Sequence, residues 1–319
     1  MGCSVLLRLM LGMVLTALTA AAHAADTAPL PVNFEAAGDF GGKGTGSGKF
    51  QYPQGMAVDH NGSIHVVDNT NKRVQVFREQ VRAGVVEYVF DRAYGTKTRD
   101  AQPFFPSDVA LDSLGNAYLS EYGDRISVYD QFGKYWRGFS TELAGERPWN
   151  GGLYVDRTSG NVVVTGAPGE NGRISIWTPE GKLQRVWNAH KPCDVWIPRE
   201  GGILFVAAWD RVSTYDTSGN LRGEFDTPSG AVSITGDEAG RVYVTFKSAN
   251  EVRAYSTRGN LLGAYALPGG PIPAQPYSGD HYSVVYAGGF LFATDRVNHK
   301  VVRLKVVPVA PSAGEAKHQ

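Results

Sequence analysis

Short apolar runs alternate with tight polar turns along most of this chain, a pattern that predicts β-strands rather than helices. The clearest stretch is Pro53–Phe77, which reads as strand, Asp-x-x-Gly turn, strand, polar turn and strand. A glycine turn then introduces a fourth strand between copies, as in Gly133–Phe139. The pattern therefore predicts a repeated unit of four short antiparallel strands.

The same unit recurs along the chain at a period of roughly 40 to 50 residues. The further copies are Phe105–Tyr129, Gly152–Trp177, Cys193–Tyr215, Ala231–Tyr255 and Ser283–Leu304. We number the six units repeats 1 to 6. Four short strands per unit at this period predict an all-β fold, a six-bladed β-propeller with four-stranded blades. A parallel β-helix would have much shorter rungs, and a β-sandwich would not repeat one turn chemistry six times.

The two ends of the repeated region fit a closed ring. Repeat 6 stops after its third strand, at Lys305–Val307, and an unmatched strand, Phe34–Phe40, precedes repeat 1. We expect Phe34–Phe40 to pair as the outer strand of the last blade, because this closure protects a sheet edge. The expected domains are a linker over 25–33, the propeller over 34–307 and a disordered tail over 308–319.

The N-terminal segment has the pattern of a secretory signal peptide. Arg8 precedes an apolar run, Leu9–Ala22, which is too short to span a bilayer comfortably. Ala22-His23-Ala24 fits the small-x-small cleavage rule, so we expect residues 1–24 to be the signal peptide. An uncleaved anchor is the alternative. Cleavage predicts a periplasmic or secreted protein with no transmembrane segment.

Charge and cysteine content narrow the classes of partner and fold. The chain has 31 basic and 31 acidic side chains, a balance that argues against nucleic acid as the main partner. Signal cleavage would remove one of its 2 cysteines and leave Cys193 without an internal disulfide partner. The fold must then depend on its apolar core, and we expect a monomer.

Repeat 1 closely resembles an NHL repeat, through Gly46–Asp59 and through Asp68 followed by Asn71–Phe77. The resemblance is recognisable in repeats 2 and 6 and eroded in repeats 3 to 5. In those three repeats, the slot of Asp68 holds Gly166, Ala208 and Phe246. The resemblance implies an exported bacterial six-bladed propeller with a binding face built from loops. It implies no reaction, because NHL propellers include RNA readers, protein-binding sensors and a minority of enzymes.

Long loops on one face of the predicted propeller carry aromatic side chains. Ala266–Asp280 contains four prolines, and long loops on a rigid β scaffold often bind ligands. The predicted ligand-binding residues are Tyr94, Trp149, Trp187, Tyr277, His281 and Tyr282. Such a rim suits a protein, a peptide or a glycan of the envelope or extracellular space. The alternative is that these rings fill the central channel.

Basic residues stand at the ends of the polar turns on the same face. They are Arg73, Arg125, Arg173, Arg211 and Lys300. One interpretation is a cationic ring for an anionic ligand. We favour the other, in which each pairs with a nearby acid such as Asp68 or Asp210 and braces its own blade.

An enzymatic function is the alternative to a binding module. Asp108, Asn150 and Asp194 start the inner strands of repeats 2 to 4, and such oxygen ligands suit Ca²⁺. This set is similar to the ion site of calcium-dependent lactonases of the same fold, but the inner-strand Glu of those enzymes is missing. A zinc-dependent amidating lyase would use several His ligands, and only His190 and His281 lie on the loop-rich face.

The weak candidates for catalysis are therefore Asp108, Asn150, Asp194 and His281, and those for a metal are the first three. Cys193 would need a base, for which His190 is the only candidate, and a structural thiol is the simpler interpretation. We expect a binding module without a cofactor. The alternative is a metal-dependent hydrolase or lyase, with Ca²⁺ or Zn²⁺ at the mouth of the channel.

Overall fold

The computed structural model describes residues 29–95, 106–121, 123–143, 150–166, 171–270 and 282–310. Every regular element in these ranges is a β-strand. The described residues contain no helix that is long and apolar enough to cross a membrane. The all-β prediction is confirmed for this part of the chain.

The described ranges contain 22 strands. In chain order they are β1 (Val32–Gly41), β2 (Pro53–Val58), β3 (Ile64–Asp68), β4 (Arg73–Arg82), β5 (Val85–Tyr94), β6 (Pro106–Leu111), β7 (Ala117–Glu121), β8 (Arg125–Tyr129), β9 (Tyr135–Ser140), β10 (Asn150–Val155), β11 (Val162–Gly166), β12 (Asn171–Trp177), β13 (Leu183–His190), β14 (Asp194–Trp196), β15 (Ile203–Asp216), β16 (Leu221–Gly236), β17 (Arg241–Phe246), β18 (Glu251–Ser256), β19 (Leu261–Ala266), β20 (Val284–Ala287), β21 (Phe290–Asp295) and β22 (Lys300–Pro308).

Antiparallel pairing of consecutive strands joins them into five sheets. Four sheets have four strands each: β2–β5, β6–β9, β10–β13, and β20–β22 with β1. The fifth sheet has six strands, β14–β19, and covers repeats 4 and 5. The propeller architecture is thus confirmed, but the hydrogen-bonded sheets number five rather than the six predicted.

Two long strands account for this difference. β15 has 14 residues; its first part pairs with β14, and its second part pairs with β16. β16 has 16 residues, and its second part pairs with β17. The β15–β16 register shifts between Trp209 and Arg211, beyond which Trp209 pairs with Ala231. This extra pairing joins the sheet of repeat 4 to that of repeat 5.

The first strand closes the molecule as predicted. β1 pairs antiparallel with β22, from Val32 opposite Pro308 to Gly41 opposite Lys300. It is the outermost strand of that sheet, whose innermost strand is β20. Pairing between the two ends of the chain covers an edge that either strand alone would leave open.

Buried side chains form six apolar clusters, and each cluster joins two consecutive repeats. Tyr94 of repeat 1 packs with Leu119 of repeat 2. Phe292 of repeat 6 packs with Phe77 of repeat 1 and completes the ring. The core therefore lies between neighbouring units rather than inside any one of them, so no unit can bury its apolar surface alone.

His65 is the most buried of the described histidine side chains. It is 3% exposed, its Nδ1 lies 2.9 Å from the Tyr94 hydroxyl, and its Nε2 lies 3.6 Å from Asp59 Oδ2. Burial lowers the pKa of His65, and the neighbouring Asp59 carboxylate opposes this shift only in part. His65 therefore binds a proton less readily in the folded protein than in the unfolded chain, where its pKa is about 6.5.

We expect the contribution of His65 to the free energy of unfolding to fall as the pH decreases below about 6.5, by up to about 1.4 kcal/mol per pH unit, until His65 protonates in the folded protein. Urea denaturation between pH 5 and pH 8 measures this slope. His65→Gln should flatten it, whereas His60→Gln, at an exposed turn residue, should leave it unchanged. Equal slopes in the wild type and in His65→Gln would contradict the assignment.

Candidate functional site

The two faces of the molecule differ in what they carry. The inner strand of each repeat starts on one face, which we name the loop face, where the outer strand of the preceding repeat also ends. The opposite face, the turn face, carries the tight Asp-x-x-Gly turns, such as Asp59–Gly62 with its Gly62-to-Asp59 hydrogen bond of 3.1 Å. The predicted aromatic rim belongs to the loop face.

One residue from each inner strand forms a ring around the central axis, which we name the inner ring. Its members, from repeat 1 to repeat 6, are Gly55, Asp108, Gly152, Asp194, Ser233 and Ser283. Each is followed by an apolar residue, and in repeats 1, 3, 5 and 6 the amide of that residue donates to the ring side chain of the preceding repeat. The ring therefore alternates between small residues and residues with side-chain oxygens in its first four positions.

Side-chain oxygens of repeats 2, 4, 5 and 6 accept amides from the repeat that follows. Asp108 Oδ2 accepts the Leu153 N–H (2.8 Å), and Ser283 Oγ accepts the Met56 N–H (3.1 Å). Asp194 Oδ2 accepts the Ile234 N–H (3.1 Å) and the Ser233 hydroxyl (2.7 Å). These bonds satisfy inner-strand amides and fasten neighbouring repeats to each other.

Glycine is required where the ring carboxyls pack. A Cβ on Gly55 would lie 2.5 Å from Asp108 Cα, and a Cβ on Gly152 would lie 2.5 Å from Asp194 Cα. Both distances are far below normal carbon–carbon contact. Gly55 thus makes room for the carboxyl of the next repeat.

The ring corrects one equivalence predicted from the sequence. Asn150 pairs with Gly166 at the far end of β11, as Pro106 pairs with Glu121 at the far end of β7. The register therefore places Asn150 two residues before the ring position, which Gly152 occupies. Asp108, Asn150 and Asp194 do not form one level of the channel.

Burial shapes the chemistry of the two ring carboxyls. Burial raises the pKa of Asp108 well above its ordinary value, and the nearby charge of Asp194 adds to this shift. Burial also raises the pKa of Asp194. Among the described residues, no three His, Cys, Asp or Glu side chains are placed to hold a metal ion. Two carboxyls alone are too few for a Ca²⁺ site, because Ca²⁺ takes about six to eight oxygen ligands.

A cavity of about 180 Å³ extends from the inner ring towards the turn face. The inner strands of all six repeats line it, and Asp108, Asp194 and Ser283 stand at its inner end. Exposed charged residues surround its other end: Arg157, Arg199, Glu200 and Glu238. This cavity therefore opens away from the predicted aromatic rim.

Two of the predicted ligand-binding rings are buried. Tyr94 is 5% exposed and packs between repeats 1 and 2, where its hydroxyl meets His65. Tyr282 is 4% exposed and lies against the Arg296 guanidinium. Trp187 is half-buried between repeats 3 and 4, with its ring 5.8 Å from that of Tyr215. Tyr94 and Tyr282 therefore do not belong to an exposed rim.

The other predicted loop residues lie beyond the structural description. Trp149, Tyr277 and His281 are outside the described residues, as is the side chain of Asn150. Their predicted roles stay predictions.

On the loop face near repeat 4, His190 contacts the Asp210 carboxylate rather than the Cys193 thiol. His190 Nε2 lies 3.2 Å from both Asp210 carboxylate oxygens. Burial raises the pKa of Cys193 to about 12, which keeps the thiol protonated. A protonated thiol is a poor nucleophile. Cys193 is therefore unsuited to covalent catalysis.

Ion pairs at the turn ends favour bracing over a free cationic ring. Arg73 Nε donates to Asp68 Oδ2 (2.8 Å), and Arg211 Nε donates to Asp210 Oδ1 (3.1 Å). Lys300 pairs with Asp39 (3.1 Å) on β1 rather than with an acid of its own turn. The bracing interpretation is confirmed for these Arg residues.

The structure adds a surface group that the sequence analysis did not single out. Tyr52, at the start of repeat 1, is 49% exposed and has φ of 56°, a left-handed conformation that is unusual for a bulky residue. Its N–H donates to His299 Nδ1 (3.1 Å), and the two rings are 5.0 Å apart. Arg296 lies 5.3 Å from the Tyr52 ring and 5.3 Å from that of Tyr282.

Tyr52 thus stands exposed at the seam between repeats 6 and 1, held by contacts from repeat 6. No local sequence pattern predicts this exposed position of Tyr52, because its φ angle and its contact with His299 exist only in the closed ring. Strained, exposed side chains of this kind are frequent at functional sites.

Comparisons with known proteins agree with this architecture. Residues 50–77 match the NHL repeat family. Protein brain tumor of Drosophila melanogaster is 30% identical over 128 residues, which are 39% of this chain and 12% of that protein. The chain therefore spans only a small part of the length of this curated relative.

Solved structures share the fold at low identity. A gluconolactonase from Xanthomonas campestris has a TM-score of 0.61 at 18% identity, covering 89% of this chain and 93% of that one. A chain of the nidogen/laminin complex has a TM-score of 0.55 at 16% identity, covering 70% and 84%. At such identities the likeness shows the fold alone. This chain is a β-propeller protein. Within this fold, one segment, residues 50–77, matches an NHL repeat.

Proposed function

We propose that this chain is an exported recognition module that binds a protein, a peptide or a glycan of the envelope or extracellular space. The binding surface is the loop face at the seam between repeats 6 and 1. The exposed, strained Tyr52 is the observation that carries this proposal. The chain from the nidogen/laminin complex supports it, since a protein of this fold takes part in a protein–protein complex.

The conformation of Tyr52 favours a functional role over a packing role. A left-handed φ costs a residue with a side chain roughly 1–2 kcal/mol, a cost that glycine would avoid. Nearly half of the Tyr52 side chain remains in solvent, so burial does not explain the residue. Large exposed aromatic rings often serve as anchors at binding interfaces. Trp149, Tyr277 and His281 would extend the same face, as predicted from the order of strands and loops.

We also propose that the propeller has six blades, with the sheet β14–β19 serving as two of them. Two observations support this count. Six apolar clusters separate six repeats around the ring, and one of them lies between repeats 4 and 5. The register shift after Trp209 marks where the two blades would meet.

The second candidate function is a metal-dependent hydrolase or lyase at the mouth of the channel. Its support is the fold shared with a gluconolactonase. In this chain the ring carboxyls of Asp108 and Asp194 hold the amides of Leu153 and Ile234. These bonds favour a structural role for the two residues, and we rank the binding module first.

Replacing Tyr52 with Gly separates binding from folding. We expect the variant to lose partner capture, with affinity lower by about 2 kcal/mol or roughly thirtyfold, because it lacks the anchor ring. The thermal midpoint should not decrease, because glycine relieves the φ strain and keeps the amide that donates to His299. Capture from an envelope extract, quantified by mass spectrometry, and thermal unfolding are the two measurements.

Phe132→Ala is the matched control, since Phe132 is 77% exposed but lies in a turn on the turn face. It should capture partners as the wild type does. Capture by Tyr52→Gly at the wild-type level would contradict the proposal.

A further inference from the structure

Positive charge surrounds Tyr52 on the loop face. The Gly42 N–H donates to the His299 carbonyl (2.7 Å), which brings the next residue, Lys43, to the same seam. Lys43 is exposed and has no carboxylate partner among the described residues. The Arg296 guanidinium packs between the rings of Tyr52 and Tyr282. One cation, Arg296, therefore packs on the Tyr52 ring, and a second, Lys43, lies at the same seam.

The nearest acids among the described residues do not neutralise this charge at the surface. Asp68 is 0% exposed and accepts hydrogen bonds from Arg73, Asn71 and Gln75. Asp295 is 1% exposed and accepts a hydrogen bond from the Asn298 amide (2.8 Å). Both carboxylates point into the protein, whereas Lys43 extends into solvent.

The effect of these cations is visible on the neighbouring imidazole. Burial lowers the pKa of His299, and the charges of Lys43 and Arg296 lower it further. Asp295 and Asp68 act in the opposite direction but do not reverse the shift. Lys43 and Arg296 therefore both contribute positive charge at the seam, although the whole chain is neutral.

We infer that the loop face binds an acidic peptide segment at this seam, with Lys43 pairing with a carboxylate beside the Tyr52 ring. This inference rests on the proposed function and narrows its ligand to one class. Charge complementarity selects the acid, and the exposed half of the Tyr52 ring receives the adjoining side chain. Arg296 covers part of the Tyr52 ring, which disfavours the open stacking that a neutral sugar would need.

Fluorescence anisotropy with labelled copolymers tests the inference on the purified chain. A Glu–Tyr copolymer should bind, a Lys–Tyr copolymer should not, and binding should weaken between 50 and 300 mM salt. Lys43→Glu should weaken Glu–Tyr binding about tenfold. Lys134→Glu makes the same change of charge at an exposed residue on the turn face, and it should leave binding unchanged.

Three results would overturn the inference: equal binding of the two copolymers, wild-type binding by Lys43→Glu, or tighter binding of alginate, a polyuronide that would make the ligand an acidic glycan. Failure of the inference differs from failure of the proposed function. A partner captured through Tyr52 but indifferent to Lys43→Glu would refute only the acidic peptide. A loop face that captures nothing in a Tyr52-dependent way would refute both.

Discussion

Replacing Asp68 with Ala should lower the free energy of unfolding by about 3–5 kcal/mol. Its carboxylate is fully buried and accepts hydrogen bonds from the Gln51 amide (2.7 Å), Arg73 Nε (2.8 Å) and Gln75 Nε2 (3.1 Å). Removing it takes the acceptor from the Gln51 amide and the paired carboxylate from the Arg73 guanidinium, whose side chain is only 13% exposed. Urea denaturation at pH 7 measures the change.

Asp210→Ala is the matched control for this prediction. Asp210 also pairs with the turn-end Arg of its own repeat, but its side chain is 32% exposed and that of Arg211 is 30% exposed. Water can replace the lost interaction at such a site, so we expect a loss of at most about 1 kcal/mol. Equal effects of the two substitutions would show that burial does not determine the strength of these braces.

Gly152→Ala should be the second most damaging substitution. The added Cβ would meet Asp194 Cα at 2.5 Å and Asp194 Cγ at 2.8 Å, and both atoms belong to a residue held by three hydrogen bonds. Repeats 3 and 4 would have to separate at the inner ring. We expect a loss of about 3 kcal/mol in the free energy of unfolding, the upper part of the usual range for overpacking.

Gly46→Ala is the corresponding control, because nothing lies within 4 Å of a Cβ at that position and its φ is not in the left-handed region. It should leave the free energy of unfolding unchanged or slightly higher. Gly55→Ala, which faces Asp108, should behave like Gly152→Ala. A mild effect at both ring glycines would mean that the inner strands can separate easily.

Local spacing was enough to predict much of the fold. The alternation of apolar and polar positions and the recurring Asp-x-x-Gly turn identified the strands and their antiparallel order, because both depend on neighbours in the chain. The pairing of Arg73 with Asp68 followed from the repeat for the same reason. Even the closure by β1 was predictable, since repeat 6 lacks a fourth strand and β1 has no other partner.

Other features were decided only by the tertiary structure. From residue types alone, Asn150 was predicted to lie level with Asp108. The strand register instead shows that Asn150 lies two residues before the ring position, which Gly152 occupies. Tyr94 was expected at a loop end and is instead enclosed by two neighbouring repeats. Side-chain burial in a propeller depends on the next unit, which a pattern within one unit does not describe.

The candidate site shows most clearly the difference between features that the sequence predicts and features that depend on the fold. Tyr52 and His299 are 247 positions apart, and they meet only because the ring closes between repeats 6 and 1. Patterns along the chain are enough to predict that a ring of antiparallel sheets forms and which strands close it. They do not predict which exposed side chains lie together at that seam, because the contacts and backbone strain of these side chains arise only when distant repeats are brought side by side.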